Sequence, residues 1–128
     1  MAYYSKMADL IQLPPRKHFS KRENYYSTIF HEMAHSTGAK SRLDRFKDES
    51  FEVSSELRYS REELVAEITA AMLCNYCGIS CETIENQAAY CKSWSSFFKE
   101  SPATVIATAA AQAQKAFDFI IDENESQD

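Results

Sequence analysis

The run His31-Glu32-Met33-Ala34-His35 lies inside an apolar stripe of helical period, and this placement constrains the chain more than any other feature. Tyr25, Tyr26, Ile29, Phe30, Met33 and Ala34 recur at i, i+3, i+4 spacing. That pattern predicts a helix starting near Ser20 to Asn24 and stopping at Gly38. Residues i and i+4 of a helix share a face one turn apart, so His31 and His35 offer two imidazoles to one point. Two imidazole nitrogens so placed suit one zinc ion. Zinc lowers the pKa of a water it binds, and the adjacent Glu32 takes the proton as that water attacks a carbonyl.

H-E-x-x-H arises by chance in about one chain of this size in a few hundred, so its surroundings must decide. A third ligand is needed, with a fourth position left for water. A third histidine after H-E-x-x-H-x-x-G-x-x would fall at residue 41, where Ser41 stands, although Gly38 is in place. The other source is a carboxylate on a second helix. Ser60-Arg61-Glu62-Glu63 reads as a capping box, Leu64, Val65, Ile68, Ala71 and Met72 as a core face, and Gly78 as the residue just past the end. Glu63 and Glu67 lie on one face of that helix and Glu62 off it. Glu63 has a purely structural reading as a cap, and Glu67 as a solvated carboxylate. Yet Glu67 sits in an apolar segment, Val65 to Leu73, whose only other polar residue is Thr69, and a charge there needs a partner. Glu63-Leu-Val-Ala-Glu67 resembles the pair of the glutamate-zincins, in which a residue four after the ligand glutamate orients a ligand histidine. That resemblance implies Glu63 as third ligand and Glu67 as its support, with the reverse assignment as the alternative.

The rest of the chain predicts two short strands, Ala2 to Ser5 and Asp9 to Leu13, ended by Pro14 and Pro15. A basic loop follows, and residues 39–59 read as irregular. A third helix is expected over Ile84 to Phe98. A last one is capped by Ser101-Pro102 and runs to about Ile121. The fold class is therefore α+β, mostly helical with a small antiparallel sheet. A single domain is expected over 1–121, with 122–128 a frayed acidic tail. No apolar run reaches the roughly 18 residues of a membrane span, and Lys6 and Asp9 interrupt any signal-peptide core, which places the chain in the cytoplasm.

Charge is unevenly spread. Residues 1–47 carry nine Lys/Arg against four Asp/Glu, and residues 48–128 five against fifteen. The cluster Arg16, Lys17, His18, Lys21 and Arg22 reads first as a solvated loop, and secondly as a patch able to meet phosphates. The net charge of −5 argues against nucleic acid as the main partner. Cys74, Cys77, Cys81 and Cys91 lack a second paired knuckle, so they read as thiols in a reducing compartment rather than a second zinc site. His18 reads as a surface histidine. Tyr59, Tyr76 and Tyr90 are candidates for polarising a carbonyl, and otherwise core or rim aromatics.

Several runs resemble the C-terminal domain of ArdC-type antirestriction proteins. They are Y-Y-S-T-I-F-H-E-M-A-H-S-T-G, S-R-L-D-R at Ser41 to Arg45, E-E-L-V-A-E-I-T-A-A at Glu62 to Ala71, D-L-I-Q-L-P-P-R at Asp9 to Arg16, A-A-Y-x-x-S-W at Ala88 to Trp94 and A-Q-K-A-F-D-F at Ala113 to Phe119. Together they span nearly the whole chain in order. The resemblance implies a zincin-like metallopeptidase fold related to the ImmA/IrrE-type peptidases, carried on plasmids, conjugative elements or phages. Members usually add an N-terminal domain that binds single-stranded DNA, for which this sequence has no room. The chain is thus expected to be a fragment or a stand-alone remnant, meeting nucleic acid only through that missing domain or the basic loop near Arg16 to Arg22. The position after H-E-x-x-H often holds Trp in the family and is Ser36 here.

Three functions follow. The first is a zinc peptidase acting on a peptide or protein, with His31, His35 and Glu63 on the metal and Glu32 as base. The second is a module that keeps zinc without turnover, and the third a helical interaction protein with an accidental motif.

Overall fold

The structure, a computed structural model, describes residues 1–48, 55–80 and 102–122. The chain opens as a hairpin of β1 (Tyr3–Ser5) and β2 (Leu10–Gln12), antiparallel with Tyr4 opposite Ile11. Its strands are shorter than the sequence pattern suggests because Asp9 is spent on the turn. The Asp9 amide donates to the Ser5 carbonyl at 2.8 Å, and its φ of 52° is one that aspartate tolerates. After Pro14 and Pro15 comes a 3-10 turn, Arg16–His18, and then α1 (Arg22–Ser36).

Past α1 the chain folds back onto the end of the helix. The Leu43 amide donates to the Thr37 carbonyl (2.8 Å) and the Arg45 amide to the Gly38 carbonyl (2.9 Å), so the carbonyls a helix end leaves over are used. A second 3-10 turn, Arg45–Asp48, lies inside the stretch expected to be irregular. Gly38 is required here for room rather than for a left-handed backbone. A Cβ at this position would stand 2.6 Å from Phe46 Cζ and 3.0 Å from Arg45 Nη2. Gly38→Ala is expected to lower stability by about 1–3 kcal/mol, read in urea melts as a lower midpoint at unchanged slope. An unchanged midpoint means that the Phe46 ring yields at no cost.

The second helix, α2 (Ser55–Cys77), begins more than a turn before Ser60, so Ser60 is not its cap. Glu56, Leu57 and Arg58 are good helix formers and carry the helix back past the apparent capping box. Its end is as expected. Gly78 takes φ 72°, the Ile79 amide reaches the Cys74 carbonyl (2.8 Å) and the Gly78 amide the Asn75 carbonyl (3.2 Å), the paired bonds of a Schellman motif. Cys74 is buried and Cys77 exposed on this last turn.

The last helix, α3 (Pro102–Asp122), lies along α2. Leu64 and Val65 of α2 form a core with Val105, Ala109 and Ala113 of α3, against which Ile68 and Met72 pack. The small alanines on α3 let the two helices approach closely. A different arc of α2 faces α1, and the hairpin packs on α1. The architecture is α+β: long helices in contact with a two-stranded antiparallel sheet. The helix expected over Ile84 to Phe98, with Tyr90, Cys81 and Cys91, and the tail beyond Asp122 fall outside the described residues.

Candidate metal centre

The face of α2 turned to α1 carries three glutamates, and each meets a histidine of α1. His31 Nε2 lies 3.0 Å from one Glu63 oxygen and His35 Nε2 lies 2.9 Å from the other. The two Nε2 atoms are 3.1 Å apart. The opposite ring nitrogens are held separately, with His31 Nδ1 at 3.1 Å from Glu67 Oε1 and His35 Nδ1 at 2.8 Å from Glu62 Oε2. Glu63 therefore bridges the two Nε2 atoms, one oxygen to each, and Glu67 stands on the far side of the His31 ring. Its second oxygen, Oε2, is buried and has no hydrogen-bond partner among the described residues.

Glu62 is on this face too, contrary to the expectation from spacing. It is fixed by Arg45, whose Nε and Nη2 reach its two oxygens at 2.7 and 2.9 Å. The same guanidinium donates to the Thr37 hydroxyl (3.0 Å) and the Ala34 carbonyl (2.9 Å), so Arg45 ties the end of α1 to α2. Arg42 does a parallel job on the hairpin. Its Nε donates to the Ser36 carbonyl at 2.6 Å, and its Nη2 pairs with Asp9, which also accepts the Tyr4 hydroxyl at 2.7 Å. The run S-R-L-D-R thus supplies both arginines that join the elements around the site. Sequence reasoning missed Glu62 and Arg45. The signal available was that run together with the double glutamate at 62 and 63.

The donor set fits a metal ion. Imidazoles that donate Nδ1–H to carboxylates turn the Nε2 lone pairs towards each other and towards Glu63, so acceptors converge with no donor among them. Two protons or one divalent cation satisfy that convergence. The candidate atoms of His31, His35 and Glu63 all lie within 4.8 Å of one another. The Nε2 separation of 3.1 Å is near the edge of about 3.3 Å expected for tetrahedral zinc–nitrogen bonds.

Charge sharpens the same conclusion. Burial alone would push both imidazoles down, but Glu63 and Glu67 carry His31 up to about 10, and Glu62 and Glu63 carry His35 up to about 9. Burial would raise Glu63, but the two rings pull it down to about 2. Glu62 is likewise held below the usual carboxylate range, its burial outweighed by Arg45 and His35. Glu32, only 6% exposed, is pushed up by burial, which His31, His35 and a bond from the Tyr4 backbone only partly offset.

A metal must therefore displace protons. With His31 near 10 and His35 near 9, both rings are protonated at neutral pH in metal-free protein, and binding is expected to release about two protons. Calorimetric titration in buffers of different ionisation heat reads that number, and a buffer-independent heat contradicts it. In metal-free protein the histidine contribution to stability is complete below the ordinary value of 6.5 and is lost as pH rises through 9 and 10. That of Glu63 is complete above 4.5 and lost as pH falls through 2.

Other candidates lie elsewhere. His18 is exposed on the 3-10 turn before α1. Tyr76 is 66% exposed, packs edge-on to Phe117, and is thirteen residues, about 20 Å, along α2 from Glu63. The side chain of Tyr59 falls outside the described residues.

Two histidines from one helix facing a glutamate of the next, in an α+β frame, is the arrangement of the zincin class. The chain belongs to the MPTase-PolyVal family of zincin-like metallopeptidases, whose model matches residues 1–112. It is 40% identical over 120 residues to a DNA primase TraC of Escherichia coli, covering 94% of this chain and 11% of that protein. It is 34% identical over 119 residues to the uncharacterized protein y4eC of Sinorhizobium fredii, 93% of this chain and 38% of that one. Among solved structures, the metal-free antirestriction protein ArdC of plasmid R388 matches with a TM-score of 0.78 at 39% identity, over 98% of this chain and 44% of that chain. Its Mn(II)-bound form matches with a TM-score of 0.77 at 41% identity, over 94% and 43%. The chain thus spans less than half the length of each of these relatives.

Proposed function

We propose that this chain is a zinc-dependent peptidase domain, with His31, His35 and Glu63 as metal ligands and Glu32 as general base. The observation that carries this reading is the convergence of both Nε2 atoms and both Glu63 oxygens beside the buried Glu32. A zinc ion held there would polarise the scissile carbonyl and ease the ionisation of water. The chain supplies the rest. Glu67 and Glu62 hold the imidazoles by their Nδ1 atoms so that the Nε2 atoms stay aimed. Glu32, raised by burial and steadied by the Tyr4 backbone, accepts the proton of the attacking water and passes it to the departing amine. Manganese is the alternative ion, because imidazole–carboxylate sets follow availability and the related ArdC is known in an Mn(II)-bound form.

A second reading, a metal-holding module without turnover inside a DNA-handling protein, is favoured by the names of the relatives, a DNA primase and an antirestriction protein. No helix among the described residues is long and apolar enough to cross a membrane, and we place the domain in the cytoplasm with a peptide or protein substrate. The test pairs metal content, measured by elemental mass spectrometry on protein purified without added metal, with digestion of a mixed peptide library. About one zinc per chain and cleavage dependent on Glu32 support the peptidase. Bound metal with no cleavage supports the module.

A further inference from the structure

We propose that Arg45 is a positioning residue of the metal centre, which holds His35 in its ligating orientation by acting through Glu62. The inference rests on the reading of His31, His35 and Glu63 as metal ligands and adds a residue outside that set. The two imidazoles are supported in different ways. Glu67 stands in the middle of α2 with its side chain 9% exposed, and meets His31 Nδ1 from within the packed interior. Glu62 is nearer the surface, its side chain 17% exposed. A glutamate loses much rotamer freedom when it is fixed, so one beside water needs a further contact to stay turned inwards.

Arg45 supplies that contact. Its Nε and Nη2 grip both Glu62 oxygens, at 2.7 and 2.9 Å, and so fix the plane of the carboxylate. Oε2, the oxygen that Nη2 meets, is also the one 2.8 Å from His35 Nδ1. The plane set by the guanidinium is thereby passed to the imidazole, whose Nε2 lies 2.9 Å from Glu63 on the other side of the ring. The guanidinium is itself braced on α1 and the turn that follows it. Nη2 donates to the Ala34 carbonyl (2.9 Å), Nη1 to the Thr37 hydroxyl (3.0 Å) and the Arg45 amide to the Gly38 carbonyl (2.9 Å). A carboxylate carried by α2 thus takes its direction from the helix that bears the histidines.

Two other roles for Arg45 predict different results. A bolt between α1 and α2 contributes stability and leaves metal affinity alone. A charge acting directly on the site has the opposite sign, since a cation repels the incoming metal and its removal tightens binding. Positioning alone predicts weaker binding when Arg45 is removed. The chain still has the means to fold without the guanidinium. The Thr37 hydroxyl donates to the Ala34 carbonyl at 2.6 Å on its own account, so that carbonyl keeps a donor.

The test is zinc affinity of the whole chain, read by competition with a chromophoric chelator, with urea melts of the same metal-free proteins beside it. Arg45→Met is expected to bind zinc about 10–100-fold more weakly. Unchanged or tighter binding overturns the proposal. Arg45→Lys keeps the charge but cannot grip both oxygens, and is expected to weaken zinc while melting closer to the wild type. If Arg45 acts through Glu62, the double variant Arg45→Met/Glu62→Met binds zinc no more weakly than Glu62→Met alone, and losses that multiply count against the relay. Replacing both members of a buried pair by apolar side chains of similar volume is often neutral, so the double variant is expected to fold. Arg42→Met removes the neighbouring tie to Asp9 and the Ser36 carbonyl, and is expected to lower the urea midpoint with zinc affinity unchanged. An equal loss of zinc by Arg42→Met reduces the Arg45 effect to general loosening and overturns the proposal. A wild-type chain that takes up no zinc removes the ligand reading and this inference with it. Wild-type zinc binding retained in both Arg45 variants removes this inference alone.

Discussion

Glu63→Ala is expected to leave the chain without bound metal, whereas Glu67→Gln is expected to keep one ion per chain at 10–100-fold lower affinity. The difference comes from where the two carboxylates stand. Glu63 bridges both Nε2 atoms, whereas Glu67 meets His31 at Nδ1. Removing Glu63 deletes the proposed third ligand, and in metal-free protein it also leaves two charged rings without their shared acceptor. Breaking a buried pair of this kind costs about 3 kcal/mol, so Glu63→Ala is also expected to melt earlier in the presence of a chelator. Glu67→Gln retains a carbonyl oxygen that accepts from His31 Nδ1, and the ring stays aimed. Elemental analysis gives the stoichiometry and competition with a chelator the affinity. If Glu67→Gln loses the metal and Glu63→Ala keeps it, the assignment reverses.

Glu32→Gln is expected to keep the metal and to reduce peptide hydrolysis by about 10²–10⁴-fold. Glutamine matches the shape of glutamate and can still meet the Tyr4 backbone, but it has no basic oxygen to take a proton. Burial raises the Glu32 carboxyl above its ordinary value, which makes it a better base at the cost of some stability as an anion. The neutral amide is therefore expected to be tolerated or mildly stabilising, and thermal melts read that alongside activity. Hydrolysis at the wild-type rate by Glu32→Gln removes Glu32 from the mechanism while leaving the metal ligands as they are.

The local features of this domain were legible in the residues because each depends on a few neighbours. His31 and His35 share a face since a helix places i and i+4 together, and the apolar stripe from Tyr25 to Ala34 declares that helix. Gly78 ends α2 because the left-handed turn of a Schellman motif suits a residue without Cβ. The hairpin follows from two short apolar runs bounded by Asp9 and Pro14. Glu63 and Glu67 both face α1, as residues four apart on a helix do.

Where α1 lies around α2 was decided only in three dimensions. Periodicity says which residues share a face, but not how wide an arc a neighbouring helix covers. Here α1 covers an arc that includes Glu62 as well as Glu63 and Glu67, because α3 takes the Leu64 and Val65 side. The start of α2 was misplaced for a related reason. A Ser three residues before a Glu satisfies the capping pattern anywhere, and Ser60 stands mid-helix while Glu63 is spent on two histidines. Gly38 was legible as a stop, but its purpose, room for Phe46 and Arg45, depends on a loop returning over the end of α1. The sequence alone determined two imidazoles on one helix, with a carboxylate beside them. The tertiary packing chose the carboxylates that face them and brought in Arg45 to hold one of those in place, because buried charges are satisfied only by partners that the packing of distant segments brings within reach.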